Sequence, residues 1–187
     1  NNACGSSTAQ TLNITVNPLP TFSTSAAPSA TVCAGANVIL NGVGPIITYS
    51  WSDGVVNATA FVPTTTTTYT LTGTDPNGCS NTATQTIIVN PLPVVTASVS
   101  PSAVVCQGEV ITLYGNGAST YSWSEFIPNG SPFVPSASTT YTVTGTDANL
   151  CSNTASATVN VNAAPSITAS SSVATTCENT TVTVTGG

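Results

Sequence analysis

Lysine, arginine, histidine and methionine are all absent from this chain of 187 residues, and its only charged side chains are six acids. Each absence excludes chemistry. Without a side-chain cation nothing neutralises phosphates, so nucleic-acid binding is excluded as an expectation, and an anionic membrane surface is equally unattractive. Without His, Lys or Arg there is no Ser-His-Asp triad, no Schiff-base lysine and no P-loop. No apolar run approaches the roughly 20 residues of a membrane-spanning helix. Charged residues make up 3% of the chain, whereas hydrophobic residues make up 40%. That is not the balance of a disordered segment. The apolar residues fall in short alternating runs rich in Thr, Val, Ile and Tyr, the composition of half-buried strands.

What is present repeats. TGTDPNGCSNTAT at 72–84 returns as TGTDANLCSNTAS at 144–156, and TYSWS at 48–52 returns at 120–124. Tyr69 and Tyr141, Asp75 and Asp147, and Cys79 and Cys151 are each 72 residues apart, while Cys33 and Cys106 are 73 apart. Self-similarity at a fixed period is the signature of a repeat architecture. The spacing predicts two complete repeats, 21–93 and 94–165. Residues 1–20 read as the tail of a preceding partial repeat and residues 166–187 as the head of a following one. The Pro-containing joints NPLP at 17–20 and 90–93 and NAAP at 162–165 contain no flexible Gly/Ser tract. Proline fixes φ and biases its predecessor to extended geometry. A semi-rigid connection in series is therefore expected, with the sequence a window on a longer array. The alternative is that terminal strands add to a neighbouring subunit's sheet edge.

Within each repeat the hydrophobic period is two. Val38 and Leu40, and Ile111 and Leu113, alternate with polar neighbours. Tyr49 and Trp51 share a face, as do Tyr121 and Trp123; Tyr69, Leu71 and Gly73 share another. Six or seven short strands bounded by turn dipeptides such as Asp53-Gly54 and Asn129-Gly130 predict an all-β fold, an immunoglobulin-like sandwich per repeat. Trp51, Trp123, Tyr69, Tyr141, Val38, Leu40, Ile111 and Leu113 are the expected core, and the two tyrosines are candidate corner tyrosines.

A repeat of this size has a small core, so a staple would help. Each carries one Cys before its second strand and one after its Tyr strand. The expected bonds are Cys33–Cys79 and Cys106–Cys151, each closing a loop worth about 4 kcal/mol in the chain-entropy model. Cys4 and Cys177 are left unpaired within the window. Disulfides imply an extracellular setting. With no CxxC and no His, the cysteines do not read as a zinc site.

VCxG at 32–35 and 105–108, TYSWS, FVP, TTYTxTGTD, xCSNTA and the closing VNPLP together carry a resemblance. The repeats resemble the immunoglobulin-like and PKD-like modules of very large secreted surface proteins of Bacteroidota, including gliding-motility adhesins. The resemblance implies stacking into long cell-surface fibres and export by type IX secretion. PKD-like modules often carry WDFGDG, whereas this chain has WSDG at 51–54 and WSEF at 123–126.

The remaining candidate sites are sparse. Exposed tryptophans would be sugar-stacking platforms; buried ones would be core pins. Asp75 or Asp147 with Glu109 is a thin candidate for structural calcium, which wants six to eight oxygen ligands. No other cofactor is expected. Acids that recur with the repeat do not form the unique pair of a glycosidase, and no catalytic site is expected. Asn13, Asn57, Asn129 and Asn179 lie in N-x-S/T triplets and are candidate glycosylation sites, and the Thr run at 64–68 is a candidate for O-linked sugar. The absence of Lys and Arg would also protect the chain from trypsin-like proteases. The expected function is a structural segment of an extracellular, cell-surface filament or adhesin stalk. Its expected partners are neighbouring repeats of the same chain or identical subunits. The alternatives are a module that binds surface polysaccharide, an accessory module of a secreted multidomain protein, or a strand-exchanging filament subunit.

Overall fold

A computed structural model describes residues 11–171, together with 178, 181 and 183–186. The chain divides into two compact units, Asn1–Pro91 and Leu92–Gly187.

The first unit contains seven strands: β1 (Ser23–Ala27), β2 (Thr31–Cys33), β3 (Val38–Val43), β4 (Thr48–Trp51), β5 (Ala60–Phe61), β6 (Thr67–Thr74) and β7 (Ser80–Asn90). They form a three-stranded sheet in the order β1-β3-β5 and a four-stranded sheet in the order β2-β7-β6-β4. Every pairing is antiparallel except β2 with β7, which is parallel and places Cys33 opposite Asn90. The second unit repeats this plan with β8 (Thr96–Ser100), β9 (Val104–Cys106), β10 (Ile111–Asn116), β11 (Thr120–Trp123), β12 (Pro132–Phe133), β13 (Thr139–Thr146) and β14 (Ser152–Asn162). Its sheets are β8-β10-β12 and β9-β14-β13-β11, and β9 again runs parallel to β14, with Cys106 opposite Asn162. A short antiparallel pair, β15 (Ala169–Ser171) with β16 (Val184–Gly186), follows.

Each unit is an immunoglobulin-like β-sandwich. The first segment contributes one strand to each sheet, and its second half runs parallel to the last strand. The alternation of side chains explains why the sheets face one another. Along β6 the outward threonines leave Tyr69, Leu71 and Gly73 buried. Across from them Val38 and Leu40 of β3 are fully buried. Val32, Trp51 and Ile87 complete this core, and Val105, Ile111, Leu113, Trp123, Tyr141, Val143 and Val159 form its counterpart in the second unit. Gly115 admits the Tyr121 ring: a Cβ there would lie 2.7 Å from Tyr121 Cδ1 and 2.9 Å from Val143 Cγ2.

The outer faces of β6–β7 and β13–β14 carry hydroxyl pairs in place of charge pairs. Thr68 and Thr86 meet at 2.8 Å, Thr140 and Thr158 at 2.9 Å, and Thr146 and Ser152 at 2.8 Å. Cross-strand pairs of this kind contribute roughly 0.2–1 kcal/mol each. Exposed ion pairs are worth about 0–1 kcal/mol, so a sheet without bases gives up little.

The expected disulfides within a repeat do not form. Cys79 and Cys106 are free thiols, whereas Cys33 and Cys151 are each disulfide-bonded. The register gives the reason. Cys33 sits beside Asn90, the last residue of β7, and Cys79 immediately precedes Ser80, the first. At about 3.3 Å per residue that strand separates them by roughly 33 Å, against a Cα–Cα limit of about 7 Å for a disulfide. The same register separates Cys106 from Cys151 along β14. Cys4 and Cys177 lie outside the described residues.

Candidate functional site

Two side-chain arrangements recur in both units. The first surrounds the tryptophan. Trp51 and Trp123 end β4 and β11 and point into the core, 5% and 3% exposed. A buried indole N–H needs an acceptor. Asn57 Oδ1 accepts it at 3.0 Å and also accepts the Gly42 N–H at 2.8 Å. Asn129 Oδ1 does the same for Trp123 at 3.0 Å and for the Gly115 N–H at 2.7 Å. One carboxamide thus pins the tryptophan to the opposite sheet. In the sequence both asparagines read as glycosylation triplets, and Asn129 also as half of the Asn129-Gly130 turn. The signal was available as Asn six residues after Trp in both repeats. Asn13 is exposed, and Asn179 lies outside the described residues.

The second arrangement is the turn before β7 and β14. Asp75 Oδ1 accepts the N–H groups of Asn77 and Cys79, each at 2.9 Å, and Asp147 Oδ1 accepts those of Asn149 and Cys151, each at 2.9 Å. The Asp therefore folds the loop over its own backbone and fixes the cysteine at the strand's start, as Asx turns do. This is the structural content of the repeated TGTD…C motif. Glu109 is elsewhere: its Oε2 accepts the Cys106 N–H at 2.8 Å, beside the other end of β14. Asp147 and Glu109 are therefore not brought together within the repeat, and no group of three or more potential metal ligands occurs among the described residues.

The corner-tyrosine role passes to other residues. Tyr69 and Tyr141 are buried and meet Phe61 and Phe133 edge-on, at centroid distances of 5.3 and 5.5 Å. Tyr49 and Tyr121 make the hydroxyl contacts to nearby backbone: Tyr49 donates to Gly44 O at 3.0 Å, and Tyr121 both donates to Ala118 O and accepts from Ala118 N at 2.7 Å. Burial pushes the Tyr141 hydroxyl above the usual tyrosine range; the Glu125 carboxylate adds to the rise and a hydrogen bond with Thr139 opposes it.

One aromatic is placed differently. After each tryptophan the chain makes a single 3-10 turn, Ser52–Gly54 and Ser124–Phe126. Gly54 has φ +72°, and Phe126 takes the same left-handed region at φ +57° while 99% exposed. Among the described residues no cleft encloses a small molecule, and no helix is long and apolar enough to cross a membrane.

No family model and no curated protein matches the chain. Among solved structures it is similar to one described as concerning host cell-surface retention of a 1.5-MDa bacterial ice-binding adhesin. That likeness has 14% identity and a TM-score of 0.40, covering 83% of this chain and 70% of that one. It is also similar to the N-terminal four Ig domains of Dscam1 isoform 6.9, with 14% identity, a TM-score of 0.26 and coverage of 79% and 48%. For PcdhgB3 EC1-4 the identity is 10%, the TM-score 0.27 and the coverage 79% and 50%. The chain spans about half the length of the latter two. The fold assignment rests on strand order and register, not on these likenesses.

Proposed function

We propose that this chain is a structural segment of an extracellular surface filament or adhesin stalk, built from immunoglobulin-like repeats that associate with neighbouring repeats or identical subunits and perform no catalysis. The observation that carries the reading is the burial of both tryptophans, at 5% and 3% exposure. The largest aromatic of each repeat serves the core and is unavailable to a ligand. The hydroxyl-paired outer sheets and the absence of bases fit a surface selected for inertness and protease resistance. The repeat motifs further suggest a cell-surface location in a Bacteroidota-type organism and type IX export. Antibody raised against residues 21–165 tests this. Labelling of intact producing cells is expected; labelling only after permeabilisation contradicts it.

A second reading, a polysaccharide-binding module, is favoured by Phe126 alone. A fully exposed ring held in a left-handed backbone is uncommon and marks functional sites more often than chance. Binding to surface polysaccharide that Phe126→Ala abolishes, without loss of folding, would replace the structural reading.

A further inference from the structure

Asn-Gly occurs at 41–42, 77–78, 116–117 and 129–130. In this dipeptide a side-chain carboxamide stands next to a backbone nitrogen that no Cβ shields. The nitrogen can attack the carboxamide carbon where it is free to reach it and its proton is free to leave. The fold treats the four copies differently.

In three of them the glycine nitrogen is held. Gly42 N–H donates to Asn57 Oδ1 at 2.8 Å, and Asn41 is paired with Ser25 inside the β1–β3 ladder. Gly78 N–H donates to Asp75 O at 3.1 Å, within the turn that Asp75 folds. Gly130 N–H donates to Leu113 O at 2.9 Å, while the Asn129 carboxamide oxygen is occupied by Trp123 and Gly115. A donated N–H faces its acceptor instead of the neighbouring side chain, and the bond screens its proton from base.

Asn116-Gly117 is built otherwise. Asn116 is the last residue of β10, opposite Thr96, and both it and Gly117 are exposed. Neither the Gly117 N–H nor the Asn116 side chain has a hydrogen-bond partner among the described residues. Past Asn116 the chain leaves the ladder until Thr120 begins β11. Only a strand end has to loosen for the nitrogen and the side chain to meet, and such ends open at the lowest cost. The fold also fixes the glycine: it has φ +91°, and an added Cβ would run into Val94 O. Asp53-Gly54 carries a carboxylate, which is a far poorer acyl group at neutral pH.

We propose that Asn116-Gly117 is a self-modifying site, at which the chain converts its own carboxamide to a carboxylate. Gly117 N loses its proton to solvent base and attacks Asn116 Cγ. The N–Cγ bond forms, the Cγ–Nδ2 bond breaks, and Nδ2 leaves as ammonia. The product is a five-membered succinimide. Water adds to one of its two carbonyls and opens the ring. Addition at Cγ gives aspartate; addition at the Asn116 backbone carbonyl gives isoaspartate, whose main chain runs through Cβ and Cγ. One water is consumed, one ammonia is released and nothing is oxidised. A chain with six acids thereby gains a seventh, and the isoaspartate form lengthens the main chain at the end of β10, opposite Thr96.

The inference concerns chemistry internal to the second unit and stands apart from where the chain is displayed; surface labelling without conversion, or the reverse, separates the two. The test incubates the full folded chain at mildly alkaline pH in water labelled with heavy oxygen, so that conversion during incubation is told apart from conversion during handling. Chymotrypsin, which cuts after Leu40, Leu71, Tyr114 and Phe126, places the four asparagines in separate peptides for mass spectrometry. Asn116 is expected to convert at least about tenfold faster than Asn41, Asn77 or Asn129, because those three react only when held structure opens. In denaturant the four should convert at similar rates. Asn116→Val installs the residue that ends β3, Val43, and tryptophan fluorescence confirms that it folds. On isoelectric focusing the wild type should gain one acidic band with time, and this variant none. Equal rates at the four sites of the folded chain overturn the inference. So does faster conversion at Asn41, Asn77 or Asn129, conversion of Asn116 only in denaturant, or the same acidic band in Asn116→Val.

Discussion

Replacing Asn129 with Ala removes one oxygen and strands two donors. The Trp123 indole N–H, on a side chain only 3% exposed, loses its 3.0 Å acceptor, and the Gly115 N–H of β10 loses its acceptor at 2.7 Å. A buried donor left unpaired costs about 1–3 kcal/mol. Asn129 itself is at the surface, so water replaces part of what is lost, and about 3 kcal/mol for the pair is the working figure. That is a large share of the 5–15 kcal/mol available to a small domain. For a domain of this size it lowers Tm by roughly 12–24 °C. The chain has two tryptophans, one in each unit, so intrinsic fluorescence reports each unit's core. In thermal or denaturant unfolding, the half of the signal that comes from Trp123 should move to lower temperature while the half from Trp51 stays in place. Asn129→Asp keeps an acceptor at the same position and should lose less than half as much. A shift below about 3 °C for Asn129→Ala would refute the reasoning, because the two donors would then be satisfied some other way. Equal losses for Ala and Asp would refute it too, since the acceptor would not be what matters.

Phe126→Gly should stabilise the second unit by about 1 kcal/mol. It relieves a left-handed residue that costs roughly 1–2 kcal/mol and removes a ring that is 99% exposed and packs on nothing; unchanged or lower stability in denaturant titration would show that the ring has a partner. Gly115→Ala should destabilise by about 1–3 kcal/mol through overpacking, because the new methyl would crowd Tyr121 and Val143 at 2.7 and 2.9 Å; a neutral outcome in the same titration would mean that β10 shifts freely. Because the folded Tyr141 hydroxyl titrates above its unfolded value of 10.0, the native state holds its proton longer. Its contribution is complete below that value and is lost as pH rises through the folded one. Unfolding free energy should therefore fall as pH rises through and above the unfolded value of 10.0, and less steeply in Tyr141→Phe; identical slopes would remove the effect.

The period of two was enough to read the sheets from the chain. Leu71, Tyr69 and Val38 announce their faces because one side of each strand must be dry. The sequence could not reveal which end of the sandwich each cysteine occupies. Sequence distance between Cys33 and Cys79 suggests a closable loop, but the parallel pairing of β2 with β7 carries Cys33 to the far end of an eleven-residue strand. That pairing comes from the chain switching sheets between β1 and β2, where Ala27-Pro28 interrupts the strand. Proline marks the break without stating the sheet that follows. The asparagine clamp was missed for a different reason. Asn57 and Asn129 sit in turns where Asn is common for local geometry, so a long-range hydrogen bond to a tryptophan leaves no trace in local pattern. Only the shared Trp-to-Asn spacing of six in both repeats could have marked it. Phe126 was hidden likewise. It occupies a position where the first repeat has Gly54, and without the backbone angle an exposed aromatic reads as one more core candidate.

We propose that these repeats serve as structural units in series. Electron cryomicroscopy of the native material from producing cells tests it most directly. The expected image is a long beaded fibre whose beads repeat at roughly 4 nm, the length of an eleven-residue strand at about 3.4 Å per residue. Compact isolated particles with no axial repeat would contradict it.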